Sequence, residues 1–394
     1  MTHFRVTRCL LPAEPRRAIG PVGRRRWLGG LLLGVAMFLA AGGCKQSRPQ
    51  TGDRLERRGD EIMVAGQLFH TGAPVVLWTD PGGFDAYRVE RRFVPWEQAS
   101  WAATTQEAKD GPATPNRYGA RVSVLSDEEL EQVRGGGWPL ELLQQKVDQF
   151  VIHYDVCGTS KTCFDVLHDR RGLSVQFMLD VDGTIYQTCD VKERAWHATI
   201  ANSRSIGIEI AHMGAYRTTA GALAQWYKKD ESGRIRLNIP DNRRTWMRNP
   251  DYQGGPARQE LIAGEIHGSR YVQYDFTPEQ YDSLIKLTAA LCTALPKIQC
   301  DYPRDAEGKL VRTALTRDAF DAYQGLIGHF HVQENKQDPG PAFDWDRVVN
   351  GARKLMSRQA LQRMESERGK PVREVKRAPT TRPATAGGAG VAAR

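Results

Sequence analysis

His153, His329 and Asp338 carry the donor types of a catalytic metal site, although they lie far apart in the chain. His329 and Asp338 are nine residues apart in Gly328-His329-Phe330-His331-Val332-Gln333-Glu334-Asn335-Lys336-Gln337-Asp338-Pro339-Gly340-Pro341, with Lys336 two residues before the carboxylate. A hydrolytic Zn²⁺ needs three N, O or S ligands, a fourth position open to water, and a nearby group that stabilises developing negative charge. This stretch offers two ligands and the cation. The third candidate, His153, ends the apolar run Phe150-Val151-Ile152, whose length suits a strand and brings the imidazole to the rim of a sheet. His331 competes with His329 as a ligand, because residues i and i+2 share a face if the strand runs on.

The elements that must position these groups read as an α/β domain with a central mixed, mainly β-sheet flanked by helices. Gln149–Tyr154 is a buried strand by its apolar run, and Phe164–Arg171 suits a short helix. Val175–Leu179 and Thr184–Gln187 flank Asp182-Gly183, a hairpin signal because such a pair tolerates the positive φ of a tight turn. Ser205–Ile210 alternates Ile206, Ile208 and Ile210, so Glu209 faces the other way. Gly325–His329 is a further strand that delivers His329 to a sheet end. Thr277-Pro278-Glu279-Gln280 starts a helix with a capping box, and its apolar stripe runs Tyr281, Leu284, Ile285, Leu291, Leu295. The main domain spans 140–350 and contains a polar, Arg-rich insertion at 213–265 that shapes a groove. Before it come a linker (45–61) and a small β-rich N-terminal extension (62–139). After it, residues 351–394 pass from helix to a disordered basic tail.

The two ends carry most of the charge. Residues 1–44 hold +6 and residues 351–394 hold +8 of the formal +9, which leaves −5 on the body between them. That balance argues against a nucleic-acid-binding fold. Residues 1–26 carry seven arginines against Glu14, and Trp27–Ala41 is an apolar segment of signal-peptide length. Leu39-Ala40-Ala41-Gly42-Gly43-Cys44 resembles a bacterial lipoprotein box, which makes Cys44 the lipidated first residue of the mature protein. With Cys9 and Cys44 set aside, Cys157, Cys163, Cys189, Cys292 and Cys300 remain. Two local disulfides suggest themselves, Cys157–Cys163 and Cys292–Cys300, in keeping with an oxidising compartment.

Four motifs occur in order: Val151-Ile152-His153; Arg194-Ala195-Trp196-His197-Ala198; Asn202 through Ser205-Ile206-Gly207-Ile208-Glu209; and Gly328-His329…Lys336-Gln337-Asp338-Pro339-Gly340-Pro341. This set, over residues 145–350, resembles the type 2 N-acetylmuramoyl-L-alanine amidases, a superfamily that includes phage lysozyme-like amidases and peptidoglycan recognition proteins. It is most similar to the branch with an aspartate as third ligand. The resemblance implies that His153, His329 and Asp338 bind Zn²⁺. It makes Glu209 the proton-transferring carboxylate and Lys336 the cation beside the oxyanion. His197, Tyr154, Trp196 and Asn202 then contact substrate. A Cys157–Cys163 loop also occurs in the secreted recognition branch. Gln176 departs from the pattern, standing where many members have histidine.

Two functions follow from this resemblance: hydrolysis of the amide between N-acetylmuramic acid and L-alanine in peptidoglycan, or a recognition module that binds wall peptides without cutting them. The expected partners are peptidoglycan or muropeptides and, through the lipid, a membrane. The expected form is an exported monomer at the periplasmic face, with Lys45 after the lipidated cysteine favouring an outer membrane.

Overall fold

The computed structural model describes residues 50–88, 95, 118–218 and 221–368. The N-terminal segment with Cys44, expected to be a lipoprotein signal, and the basic tail beyond 368 lie outside the described residues. Every element below belongs to the compact unit Glu56–Arg394. The hairpin β1 (Glu61–Val64)–β2 (Gln67–His70) leads into β3 (Val75–Leu77), and β4 (Gln149–Tyr154), β5 (Phe177–Leu179), β6 (Ile185–Gln187) and β7 (Ser205–Ile210) follow. Two hairpins, β8 (Tyr227–Lys229)–β9 (Ile235–Leu237) and β10 (Ile262–Ile266)–β11 (Ser269–Gln273), precede β12 (Gly325–Gly328). The main sheet has the order β12-β4-β7-β5-β6-β3, with β12, β4, β7 and β5 mutually parallel and β6 antiparallel to β5.

Register decides what each face of this sheet carries. Ile327 pairs with Val151, Val151 with Gly207, His153 with Glu209, and Met178 with Glu209, so all of them share one face. The opposite face presents Phe150, Ile152, Ile206, Ile208, Phe177, Leu179 and Leu326, all completely buried. They pack with Leu284, Leu287 and Leu291 of α1 (Pro278–Ala294) and with Val348 and Val349 of α3 (Trp345–Arg368). Each such side chain contributes about 1.5–3 kcal/mol. Two helices therefore hold one face rigid, and the other face is free to carry polar groups. The start of α1 is a capping box: Thr277 Oγ1 accepts from the Gln280 N–H and Gln280 Oε1 accepts from the Thr277 N–H, both at 3.0 Å.

The N-terminal extension proves to be part of the sheet. β3 runs parallel to β6, and its outer edge is closed because the Val75 N–H donates to the Gly59 carbonyl and the Leu77 N–H to Asp80 Oδ2, each at 2.8 Å. Arg121, also before the expected domain start, is fully buried and donates to the carbonyls of Val191, Lys192, Glu193, Asn202, Ser203 and Ser205. The insertion is more than a polar loop: Met213, Leu223, Trp226, Tyr227, Ile235, Leu237 and Tyr252 form its own small core. Among the described residues, no helix is long and apolar enough to cross a membrane.

No disulfide joins the two expected pairs in the structure, and within each pair, Cys157 with Cys163 and Cys292 with Cys300, the side chains lie within hydrogen-bonding reach of each other.

One buried acid makes stability depend on pH. Asp180 opens the β5–β6 turn, its Oδ1 accepts from the Val181 N–H at 2.9 Å, and burial followed by the neighbouring Asp182 raises its pKa to about 8. The unfolded chain ionises this group near pH 4 and the folded chain does not until about pH 8, so the folded state loses stability as pH rises through that window. Asp180→Asn keeps the accepting oxygen without the ionisation. Its thermal midpoint should exceed that of wild type by a margin that grows from pH 5 to pH 8, each kcal/mol being worth about 2–4 °C. A margin independent of pH, measured by calorimetry, would contradict this.

Candidate metal centre and active site

At one end of the sheet three donor atoms converge. His153 Nδ1 lies 3.0 Å from His329 Nδ1, and Asp338 Oδ2 lies 2.8 Å from the first and 3.0 Å from the second. Among the described residues, these three form a buried group whose ligand atoms all lie within 4.8 Å of one another. The fold brings them together from three places. β4 carries His153 as its next-to-last residue, β12 ends just before His329, and Asp338 follows the loop after α2 (His329–Val332). Gly328 lets Pro339 pack close to this backbone, since a Cβ there would meet Pro339 Cδ at 2.7 Å.

The surrounding hydrogen bonds fix the tautomer of His329. Its Nε2 lies 2.9 Å from Gln333 Oε1, an acceptor, so that nitrogen donates and Nδ1 keeps a bare lone pair. His153 Nε2 lies 3.0 Å from His197 Nδ1, and His197 Nε2 lies 3.3 Å from Ser205 Oγ. When His153 donates to His197, its Nδ1 is bare as well, and the two nitrogens and the carboxylate oxygen can share one cation. The donor set, two imidazoles and a carboxylate, fits a hydrolytic Zn²⁺. Burial, then the neighbouring His329, lowers the His153 pKa to about 4, which keeps the ring neutral and able to ligate. For Asp338, burial works to raise the pKa, but the two imidazoles override it and hold the carboxyl well below the usual carboxylate range.

Around this triad lies a cavity of about 270 Å³ lined by, among others, Tyr154, Val156, Trp196, His197, Glu209 and Lys336. Glu209 is in register with His153, its Oε2 lacks a hydrogen-bond partner among the described residues, and burial followed by Asp338 pushes its pKa well above the ordinary value. Trp196 is stacked under the Arg194 guanidinium, 4.0 Å from the ring centre. His197 lies flat on β7 because position 207 is glycine, where a Cβ would meet His197 Nδ1 at 2.6 Å. Both His197 nitrogens are engaged, so its geometry is that of a brace on His153. Asn202 does not line the cavity; its Oδ1 accepts from the N–H groups of His197 and Ala198, at 3.0 and 2.7 Å, and so shapes their loop. Gln176 bridges the same region, accepting from the Gly207 N–H at 2.8 Å and donating to the Glu193 carbonyl at 2.9 Å.

His331 is turned away from the triad. Residues 329–332 are helical rather than extended, so His331 leaves the face of His329. Its Nδ1 accepts from the Gly328 N–H at 2.9 Å and its Nε2 donates to the Val311 carbonyl at 2.7 Å. Gln333 escaped sequence reasoning altogether; its only signal is its position one helical turn after His329. Zinc binding followed by calorimetry should show one equivalent in wild type, retained in His331→Ala and lost in Asp338→Ala. Gln333→Ala should bind about 10–100-fold more weakly. Unchanged affinity in Gln333→Ala would remove the tautomer argument.

No curated protein matches the chain. Among solved structures, a selenomethionine AmpD derivative shares 17% identity at a TM-score of 0.28, over 60% of this chain and 90% of that one. The endolysin amidase LysCS of Clostridium intestinale URNW shares 18% at 0.28, over 54% and 86%. The N-acetylmuramyl-L-alanine amidase AmiD from E. coli, solved with anhydro-N-acetylmuramic acid-L-Ala-D-gamma-Glu-L-Lys, shares 17% at 0.29, over 52% and 57%. The N-acetylmuramoyl-L-alanine amidase family model matches residues 143–229, the span that contains His153, Trp196, His197 and Glu209, and over that span the chain is similar to this family.

Proposed function

We propose that this chain is a zinc-dependent amidase that hydrolyses the bond between the lactyl group of N-acetylmuramic acid and L-alanine in peptidoglycan. The observation that carries this reading is the convergence of His153 Nδ1, His329 Nδ1 and Asp338 Oδ2 in the cavity that Glu209 lines, its buried Oε2 without a hydrogen-bond partner among the described residues. The family match over 143–229 supports the choice of bond. His153, His329 and Asp338 would hold Zn²⁺, which when bound supplies Lewis acidity toward a carbonyl oxygen and acidifies water.

The remaining work falls to side chains of this chain. Glu209 receives the proton of the attacking water and hands it to the departing amine nitrogen. Burial, followed by the neighbouring Asp338, raises the Glu209 pKa above the ordinary carboxyl value, which makes the carboxylate a stronger base for the first proton transfer. Lys336 borders the same cavity and supplies positive charge beside the carbonyl oxygen as that oxygen becomes an oxyanion. Tyr154 and Trp196 form walls that orient the substrate, and His197 keeps the His153 ring in its working tautomer.

Zinc-loaded protein should release stem peptides beginning with L-alanine from purified peptidoglycan, read by mass spectrometry. Glu209→Gln should lower the rate about 10²–10⁴-fold with zinc content unchanged. Wild type that binds wall material and zinc yet releases nothing would instead favour a recognition module.

The same reading extends to location. Lipidation of Cys44 after signal cleavage would tether the enzyme at the periplasmic face of a membrane, the outer one being favoured by Lys45. Cys44→Ser should shift the protein from the membrane to the soluble fraction and abolish labelling with radioactive palmitate; membrane retention of the variant would refute the anchor.

A further inference from the structure

Three residues after His153 the backbone enters a conformation that its side chain disfavours. Val156 has φ of +52°, a left-handed geometry rare for any residue with a branched Cβ. Its cause is local and specific. Asp155 Oδ1 accepts from the N–H groups of Cys157, Gly158 and His212 at 2.8, 3.1 and 3.0 Å, folding the chain back on itself. The insertion then locks the turn from outside. Trp226 packs so tightly on Gly158 that a Cβ there would lie 2.5 Å from its ring, and Arg243 Nη1 donates to the Cys157 carbonyl at 2.6 Å. Arg243 in turn sits 5.3 Å from the Trp226 ring centre.

Glycine or asparagine would satisfy this backbone at lower cost. The valine side chain gains little inside the protein, being 49% exposed. It projects into the cavity that contains His153, Glu209 and Lys336, where it supplies an apolar surface among charged groups. A strained residue whose side chain is half exposed in such a cavity is explained by a contact made outside the chain.

We infer that Val156 is a specificity residue, held by the insertion against the small aliphatic side chain next to the scissile amide. The identity of that side chain, the methyl of L-alanine, rests on the function proposed above. Removing the valine removes the discrimination and also relieves the backbone.

The test uses the full chain, zinc-loaded, with two soluble muropeptides that differ only in having L-alanine or glycine after the muramoyl group. Wild type should prefer the alanine form about fourfold in kcat/KM, the value of one buried methyl. Val156→Gly and Val156→Asn should both lose that preference, with KM for the alanine form raised about fivefold and kcat within twofold. Their thermal midpoints should be no lower than that of wild type, and Val156→Asn, which keeps a Cβ, separates strain relief from the added freedom of glycine in the unfolded chain. A preference that survives in both variants, no preference in wild type, or a lowered midpoint in both would overturn the inference. Should wild type bind the muropeptides without cleaving them, the hydrolytic reading fails, and the ratio of the two dissociation constants decides the role of Val156.

Discussion

Two imidazole nitrogens and a carboxylate oxygen held within 3.0 Å of one another set the terms for everything around them. Such a cluster keeps its geometry because each participant is fixed from behind. Gln333 and His197 hold the rings by their outer nitrogens, and the parallel strands β12, β4 and β7 fix the backbones that carry them. The two helices packed on the far face make that sheet stiff. Its apolar residues therefore serve the polar end directly, because a sheet free to flex would let the three donor atoms part.

Much of this was legible in the chain because the decisive signals are local. An apolar run ending in His153, the alternation Ile206-Ile208-Ile210 that turns Glu209 to the other side, and the Thr277–Gln280 capping box each state their geometry within about six residues. What stayed hidden depends on partners distant in sequence. β3 contains only three residues and gains its meaning from pairing with β6. Gln333 looks like any loop glutamine until the helical turn puts it against His329. Asn202 sits inside a recognisable motif, yet its oxygen is consumed by the backbone of the His197 loop. His331 competed with His329 only on the logic of a continuing strand, and the segment is helical, so the two rings part.

The cysteines show where spacing alone is insufficient. Two pairs are close in sequence and in space, and the structure joins neither. Proximity satisfies only part of what a disulfide requires, because the sulfurs must also adopt the right dihedral.

Arg121 has a consequence for the order of events during folding. Its guanidinium gathers six carbonyls from two stretches, Val191–Glu193 and Asn202–Ser205, which bracket the loop carrying Trp196 and His197. Synthesis proceeds from the N-terminus, so the clasp is made some 70 residues before the loop that it will close. The wall of the cavity is thus not self-assembled from its own turn. It closes around a cation supplied from earlier in the chain, and a chain begun at residue 140 would leave those six carbonyls facing inward with nothing to receive them.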